Sequence, residues 1–145
     1  MIDMLVKDVM VKDVKTIEKG SSIKEAAEKM TEFRIGSLIV TDPSGKMVGI
    51  ITESDILKVV ASGKSISLVV DEVMTKQVYY VKPEDDIRDA ADIMIKNKVK
   101  KLPVISGSAL IGIVTMTDVG AAEPKLLDQL SHLMLFGQKQ KFVAG

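Results

Sequence analysis

The sequence predicts a mixed α/β chain of the α+β type: two pseudo-twofold-related β-α-β-β-α repeats packed through their sheets. Three observations carry this expectation. Gly49-Ile50-Ile51-Thr52-Glu53-Ser54-Asp55-Ile56 is rewritten 63 residues later as Gly112-Ile113-Val114-Thr115-Met116-Thr117-Asp118-Val119, and self-similarity at a fixed offset marks a repeat architecture. Ile23, Ala26, Ala27 and Met30 fall at i, i+3, i+4 and i+7, the spacing of one helical face, and Ile87, Ala90, Ala91 and Met94 repeat it at an offset of 64. Composition supplies the third: 46% hydrophobic and 28% charged residues describe a globular chain, and 3% aromatics with nine Met make its core aliphatic.

The elements follow in order. Val9-Met10 opens the first half and Val73-Met74 opens the second. Thr16-Ile17 predicts a short strand, with Val78 to Val81 as its copy. Ser22 and Glu25 form a capping-box pattern for the first helix, and Asp86 takes the cap position of the second. Two strands follow each helix, Ser37–Thr41 with Met47–Thr52 and Leu102–Ile105 with Leu110–Thr115. Asp42-Pro43-Ser44-Gly45 turns the first pair and Ser106-Gly107-Ser108 the second. The second turn is one residue shorter, which changes the offset from 64 to 63. Gly49 and Gly112 interrupt their strands at the same place, for a bulge or for a close backbone neighbour.

A further helix opens at Asp55, stopping near Gly63, and another at Asp118, which Gly120 weakens and Glu123-Pro124 ends. From Lys125 a tail helix is expected with Leu126, Leu127, Leu130, Leu133 and Met134 on one face. The expected division is 1–64 for the first repeat, 65–122 for the second with its leading linker, and 123–145 for the tail. A half of about 60 residues buries too little surface to stand alone, so the two are expected to pack together.

Several function classes are excluded or disfavoured. With no Cys, disulfides and Cys-built metal sites are out. Twenty basic against twenty acidic residues give no overall field toward nucleic acid or an anionic membrane. There is no signal-peptide pattern and no apolar run of bilayer length, so the expected location is cytoplasmic, with no membrane partner.

With these motifs in order twice, the chain resembles a tandem pair of CBS domains, the modules named after cystathionine β-synthase and found together as a Bateman module. The resemblance covers roughly residues 7–122, through the Val-Met opening, the Ser-Ile-x-x-Ala-Ala-x-x-Met helix and the Gly-h-h-Thr-x-x-Asp close, h being apolar. It implies a stand-alone regulatory module that binds AMP, ADP, ATP or S-adenosylmethionine in the cleft between repeats. It also implies a homodimer formed through the helices. No cofactor is required beyond that regulatory ligand, and the regulated partner is a separate chain.

The residues themselves agree with this chemistry. Thr52, Ser54, Thr115 and Thr117 place hydroxyls beside helix N-terminal N–H groups, an arrangement suited to phosphate. Asp55 and Asp118 can each accept bonds from the two hydroxyls of a ribose. The bland alternative is that all six are ordinary helix-capping residues. The resemblance further implies that the segment before the second strand borders adenine and carries cations toward the phosphates. That assigns Arg34, Lys100 and Lys101 to phosphate, with Lys96 and Lys98 nearby, and Ile35, Val99, Leu102 and Pro103 to the base pocket. Thr16 and Tyr80 occupy equivalent places on the short strand; Tyr80 could stack on adenine or pack in the core. The lysines and Pro103 make the second copy the stronger candidate for a phosphorylated ligand. Lone His132 and the run Glu84-Asp85-Asp86 need no active-site reading.

The leading expectation is thus an adenine-nucleotide, energy-sensing regulator, with a ligand-independent dimerisation scaffold as the alternative. An enzyme is not expected, because there is no nucleophile–base constellation, Gly-rich phosphate loop or metal-ligand cluster.

Overall fold

The computed structural model describes residues 4–132. The predicted position of Leu133 and Met134 on a tail helix lies outside them. The elements are α1 (Val6–Val9), β1 (Thr16–Glu18), α2 (Ile23–Phe33), β2 (Ser37–Thr41), β3 (Met47–Thr52), α3 (Glu53–Ala61), α4 (Ile87–Asn97), β4 (Lys101–Ser106), β5 (Ala109–Thr115) and α5 (Met116–Ala122). Short 3-10 turns occupy Val70–Glu72 and Pro124–Leu126. The chain forms two compact units, one of Val14–Val78 with Ser108–Leu110, the other of residues 4–13, 79–107 and 111–132. They are called here the first-repeat and second-repeat units.

In the first-repeat unit β1 pairs parallel to β2, and β2 pairs antiparallel to β3. The helix α2 starts where Ser22 Oγ accepts the N–H of Glu25 at 3.1 Å. It buries Ile23, Ala26 and Met30, most of the predicted face. These side chains meet Leu38 and Val40 of β2, Ile51 of β3 and Val59 of α3 in one aliphatic cluster. The 3-10 turn closes this core with Val70, whose N–H donates to Ser21 O at 2.8 Å.

The second-repeat unit repeats the plan with α4, β4, β5 and α5. Ile87, Ala90, Ala91 and Met94 are all buried, against Leu102, Val104, Val114 and Val119. Here the opening helix α1 closes the core with Val6, whose N–H donates to Asp85 O at 2.8 Å. Each unit is therefore capped by the segment that opens the other half of the sequence. Residues 6–11 lie on the second repeat, and residues 66–75 lie on the first.

The glycines show how this works. A Cβ at Gly49 would stand 2.7 Å from Met74 Sδ and 2.8 Å from Thr75 O. At Gly112 it would stand 2.7 Å from Met10 Sδ and 3.0 Å from Val11 O. Ile50 and Thr75 exchange backbone hydrogen bonds of 2.9 Å each, as Val11 and Ile113 do at 2.8 and 2.9 Å. A close backbone neighbour thus explains both glycines, with a register shift on the adjoining β2 in the first repeat, where Val40 faces Gly49 and Thr41 faces Met47.

Two expectations are corrected. The copy of β1 at Val78 to Val81 is not a strand but a single parallel bridge, Val81 to Val104. Its partner strand carries Pro103 where β2 carries Ile39, and proline has no N–H to extend the ladder. Gly120 lies inside α5, which runs through it. A Cβ there would meet Leu127 Cδ2 at 2.7 Å, so the glycine seats the segment that follows. That segment is a 3-10 turn and then helix over 127–132, and it buries Leu130 in its own unit's core while Leu127 stays exposed.

Two outcomes follow. Gly49→Ala and Gly112→Ala each force a backbone carbonyl aside, so each should lose about 1–3 kcal/mol in urea unfolding. Asp86 caps α4, accepting from Arg88 Nη2 at 2.7 Å and from the Arg88 N–H at 2.8 Å. These bonds, the side-chain one first, lower its pKa from 3.8 to about 2. A carboxylate with a depressed folded pKa stabilises above its unfolded pKa and loses that contribution as pH falls through the folded value. The stability gap between wild type and Asp86→Asn should be full above about pH 4 and shrink toward about pH 2, as followed by thermal melts across that range.

Candidate functional site

In each unit the helix C-terminus, the start of the next strand and the strand-to-helix junction are tied together by one bond. Glu53 N–H donates to Gly36 O at 3.0 Å in the first-repeat unit, and Met116 N–H donates to Lys100 O at 2.9 Å in the second. Residues 36 and 100, and 53 and 116, are repeat equivalents. The contact is thus built twice.

The junction is a reciprocal cap in both copies. Thr52 Oγ1 accepts the N–H of Asp55 at 3.3 Å, while Asp55 Oδ2 accepts from the Thr52 N–H at 2.9 Å and its hydroxyl at 3.0 Å. Thr115 Oγ1 accepts the N–H of Asp118 at 3.1 Å, and Asp118 Oδ2 accepts from the Thr115 N–H at 3.2 Å and its hydroxyl at 2.8 Å. Of the first three N–H groups in α3 and in α5, the first and third are thereby engaged. The expected open row of phosphate donors is reduced accordingly, and the exposed hydroxyls of Ser54 and Thr117 are the outward-facing groups of the junction. One oxygen of each Asp serves the cap, so a ribose diol would be met by Oδ1. Capping and sugar contact are therefore compatible roles for one carboxylate.

The basic loops are also built alike. Arg34 ends α2 at φ 55°, ψ 49°, and Lys98 ends α4 at φ 55°, ψ 43°. Helices usually place Gly or Asn in this left-handed position, and a long cation held there costs of order 1 kcal/mol. Both repeats accept that cost with an exposed basic residue. Lys100 and Lys101 are exposed beside Lys98, and Val99 is half-buried as Ile35 is.

Other predicted residues are placed differently. Leu102 is fully buried in the core, as Leu38 is, and Pro103 is buried; neither side chain offers an open wall. Tyr80 is 49% exposed, so core packing does not hold it. Tyr79 beside it is 53% exposed and escaped the sequence reading. Thr16 is half-buried, and its carbonyl accepts the ammonium of Lys29. In the first-repeat unit Arg34 and Ile35 line a depression of about 410 Å³ with Glu53, Ile56 and Leu57. Asp55 lines another, of about 370 Å³, with Lys58, Ser62 and Lys64. The two share no residue, so Asp55 and Arg34 line different hollows. Glu53 and Gly36 were also passed over. Their signal was there: each changes charge between the copies, Glu53 to Met116 and Gly36 to Lys100.

The CBS-domain family profile matches residues 6–62 and 70–122. The chain belongs to the CBS-domain family. An uncharacterised 17.7 kDa protein in the bps2 3′ region of Acidianus ambivalens is 40% identical over 141 residues, covering 97% of this chain and 82% of the relative. A homoserine O-acetyltransferase of Methanohalobium evestigatum is 40% identical over 115 residues, covering 79% of this chain but 23% of the enzyme. Among solved structures, the CBS domain pair of protein MJ0100, in complex with 5′-methylthioadenosine and S-adenosylmethionine, superposes with a TM-score of 0.75 at 33% identity. That match covers 83% of this chain and 96% of the other. This chain is thus a tandem CBS pair with two β-α-β-β-α-like repeats. Among the described residues no group of three or more His, Asp or Glu could hold a metal ion, and no helix is long and apolar enough to cross a membrane.

Because each Asp closes a cap, alanine there removes more than a ligand contact. Asp55→Ala and Asp118→Ala should each lose about 1–2 kcal/mol of stability. Asn, whose side-chain oxygen can take the same Thr bonds, should lose less than half of that in denaturant titrations.

Proposed function

We propose that this CBS pair is a regulatory module that binds an adenosine-containing ligand, AMP, ADP, ATP or S-adenosylmethionine, and signals its occupancy to a separate partner protein in the cytoplasm. The observation that carries this reading is the junction found twice. In each copy an Asp–Thr cap, an outward hydroxyl and a left-handed basic loop are tied into one rigid group by a single backbone bond. A relative of 33% identity, the MJ0100 pair, binds S-adenosylmethionine and 5′-methylthioadenosine. Their shared adenosyl moiety is the part that Asp55 or Asp118 would recognise through its ribose. Thr52, Thr115, Ser54, Thr117, Arg34, Lys100 and Lys101 would serve a phosphate. Tyr80, Val99 and Ile35 would border the base, with Thr16, Leu102 and Pro103 shaping it from behind. The module itself performs no reaction in this reading. A ligand alters the partner only by binding one state of the module better than the other.

A second reading has its own observation. Leu57 and Val60, on α3, are 67% and 59% exposed, and an apolar face of this kind suits a dimer formed through the helices. The pair would then be a scaffold that needs no ligand.

Calorimetric titration decides between them. Under the regulatory reading at least one of AMP, ADP, ATP, S-adenosylmethionine or 5′-methylthioadenosine binds. Asp118→Asn, which keeps the cap, should weaken that binding by roughly tenfold, about 1.4 kcal/mol. A protein that stays dimeric and binds none of them supports the scaffold instead.

A further inference from the structure

We propose that Glu53, seated over Gly36, is a specificity-determining residue that turns the first-repeat site away from phosphorylated ligands and toward adenosyl ligands without phosphate. This rests on the adenosine-ligand reading above and sorts its ligands between the two copies. The Glu53 carboxylate occupies the space beside Gly36, with Oε1 3.3 Å and Cδ 3.4 Å from where a Cβ would stand. Its own N–H donates to Gly36 O, so the residue is anchored at that spot by the same bond that closes the junction. Among the described residues no hydrogen bond or ion pair neutralises the carboxylate.

The second copy differs at both positions together. Lys100 replaces Gly36, so a side chain rises where the carboxylate lies in the first copy, and uncharged Met116 replaces Glu53. Ser37 likewise becomes Lys101. Taking each loop with its junction neighbour, Arg34 and Glu53 cancel in the first copy, whereas Lys100 and Lys101 bring two positive charges where the first copy has Gly36 and Ser37. Both copies keep their Asp, so the sugar-directed group is common and the loop charge is what differs. An anionic phosphate at the first loop meets a carboxylate, and at the second it meets ammonium groups. An uncharged thioether or a sulfonium has no such conflict with Glu53. Lys58 and Lys64 are the other cations near Asp55. They line, with Asp55, the hollow that contains neither Arg34 nor Glu53. They offer a route by which a phosphate could be held in the first copy despite Glu53.

ATP and 5′-methylthioadenosine are the probes, titrated calorimetrically into wild type, Glu53→Gln and the double variant Lys100→Ala/Lys101→Ala. Wild type should take one equivalent of ATP, weakened at least tenfold by the double lysine variant. Glu53→Gln should add a second ATP site or strengthen a weak one by roughly tenfold, the effect of one nearby unit charge. Its affinity for 5′-methylthioadenosine should stay within about twofold, which also shows that the variant is folded. If 5′-methylthioadenosine binds but Glu53→Gln leaves ATP binding unchanged, the inference is wrong and the adenosine-ligand reading stands. Two equivalents of ATP on wild type, one of them lost in Lys58→Ala/Lys64→Ala, would also overturn it. If neither probe binds wild type the inference fails, and the underlying reading fails with it when AMP, ADP and S-adenosylmethionine do not bind either.

Discussion

A methionine thioether lying on a glycine holds each unit closed. Met74 covers Gly49 and Met10 covers Gly112, and in both places the following carbonyl also comes within 3.0 Å of where a Cβ would stand. This approach lets Ile50 bond Thr75 and Ile113 bond Val11 across the outer edge of a strand. The edge would otherwise present bare N–H and C=O groups. The approach also brings Val70 or Val6 down onto the aliphatic core that a half of about 60 residues could not close by itself. Methionine suits the task because its unbranched, polarisable chain fills an irregular gap.

The site is a consequence of that closure. With the strand edge covered, β3 and β5 run straight into helices whose first turns are capped by their own Asp and Thr. The loop ahead of the next strand is then bonded to the first residue of the helix. Ligand-directed groups are thus carried by a frame that already satisfies its backbone, and little needs to be ordered on binding. The frame is common to both copies. Charge is not, because Gly36, Ser37 and Glu53 of the first copy become Lys100, Lys101 and Met116 in the second.

Much of this was legible in the sequence. The helix faces at Ile23–Met30 and Ile87–Met94, the two caps and the turn that shortens by one residue follow from periodicity and local hydrogen-bonding chemistry, which act within a few residues. Other features were hidden because they depend on a neighbour far along the chain. Leu102 reads as pocket wall or core with equal ease, and only packing put it in the core. Tyr80 reads as a strand residue until Pro103 removes the N–H that a full ladder would need. The engagement of helix N–H groups by Gly36 and Lys100 carbonyls has no signature in either loop's text.

By itself the sequence determined that there are two repeats, where the helix faces at Ile23–Met30 and Ile87–Met94 lie and that Thr52–Asp55 and Thr115–Asp118 have the text of helix caps, since all of these rest on local spacing. Only the tertiary structure decided which opening segment covers which repeat. Val9-Met10 and Val73-Met74 are near-identical text, and Gly49 and Gly112 offer them equivalent seats, so local chemistry has no preference. Long-range packing breaks the tie, placing Met10 on Gly112 and Met74 on Gly49, and so makes each unit from parts of both halves.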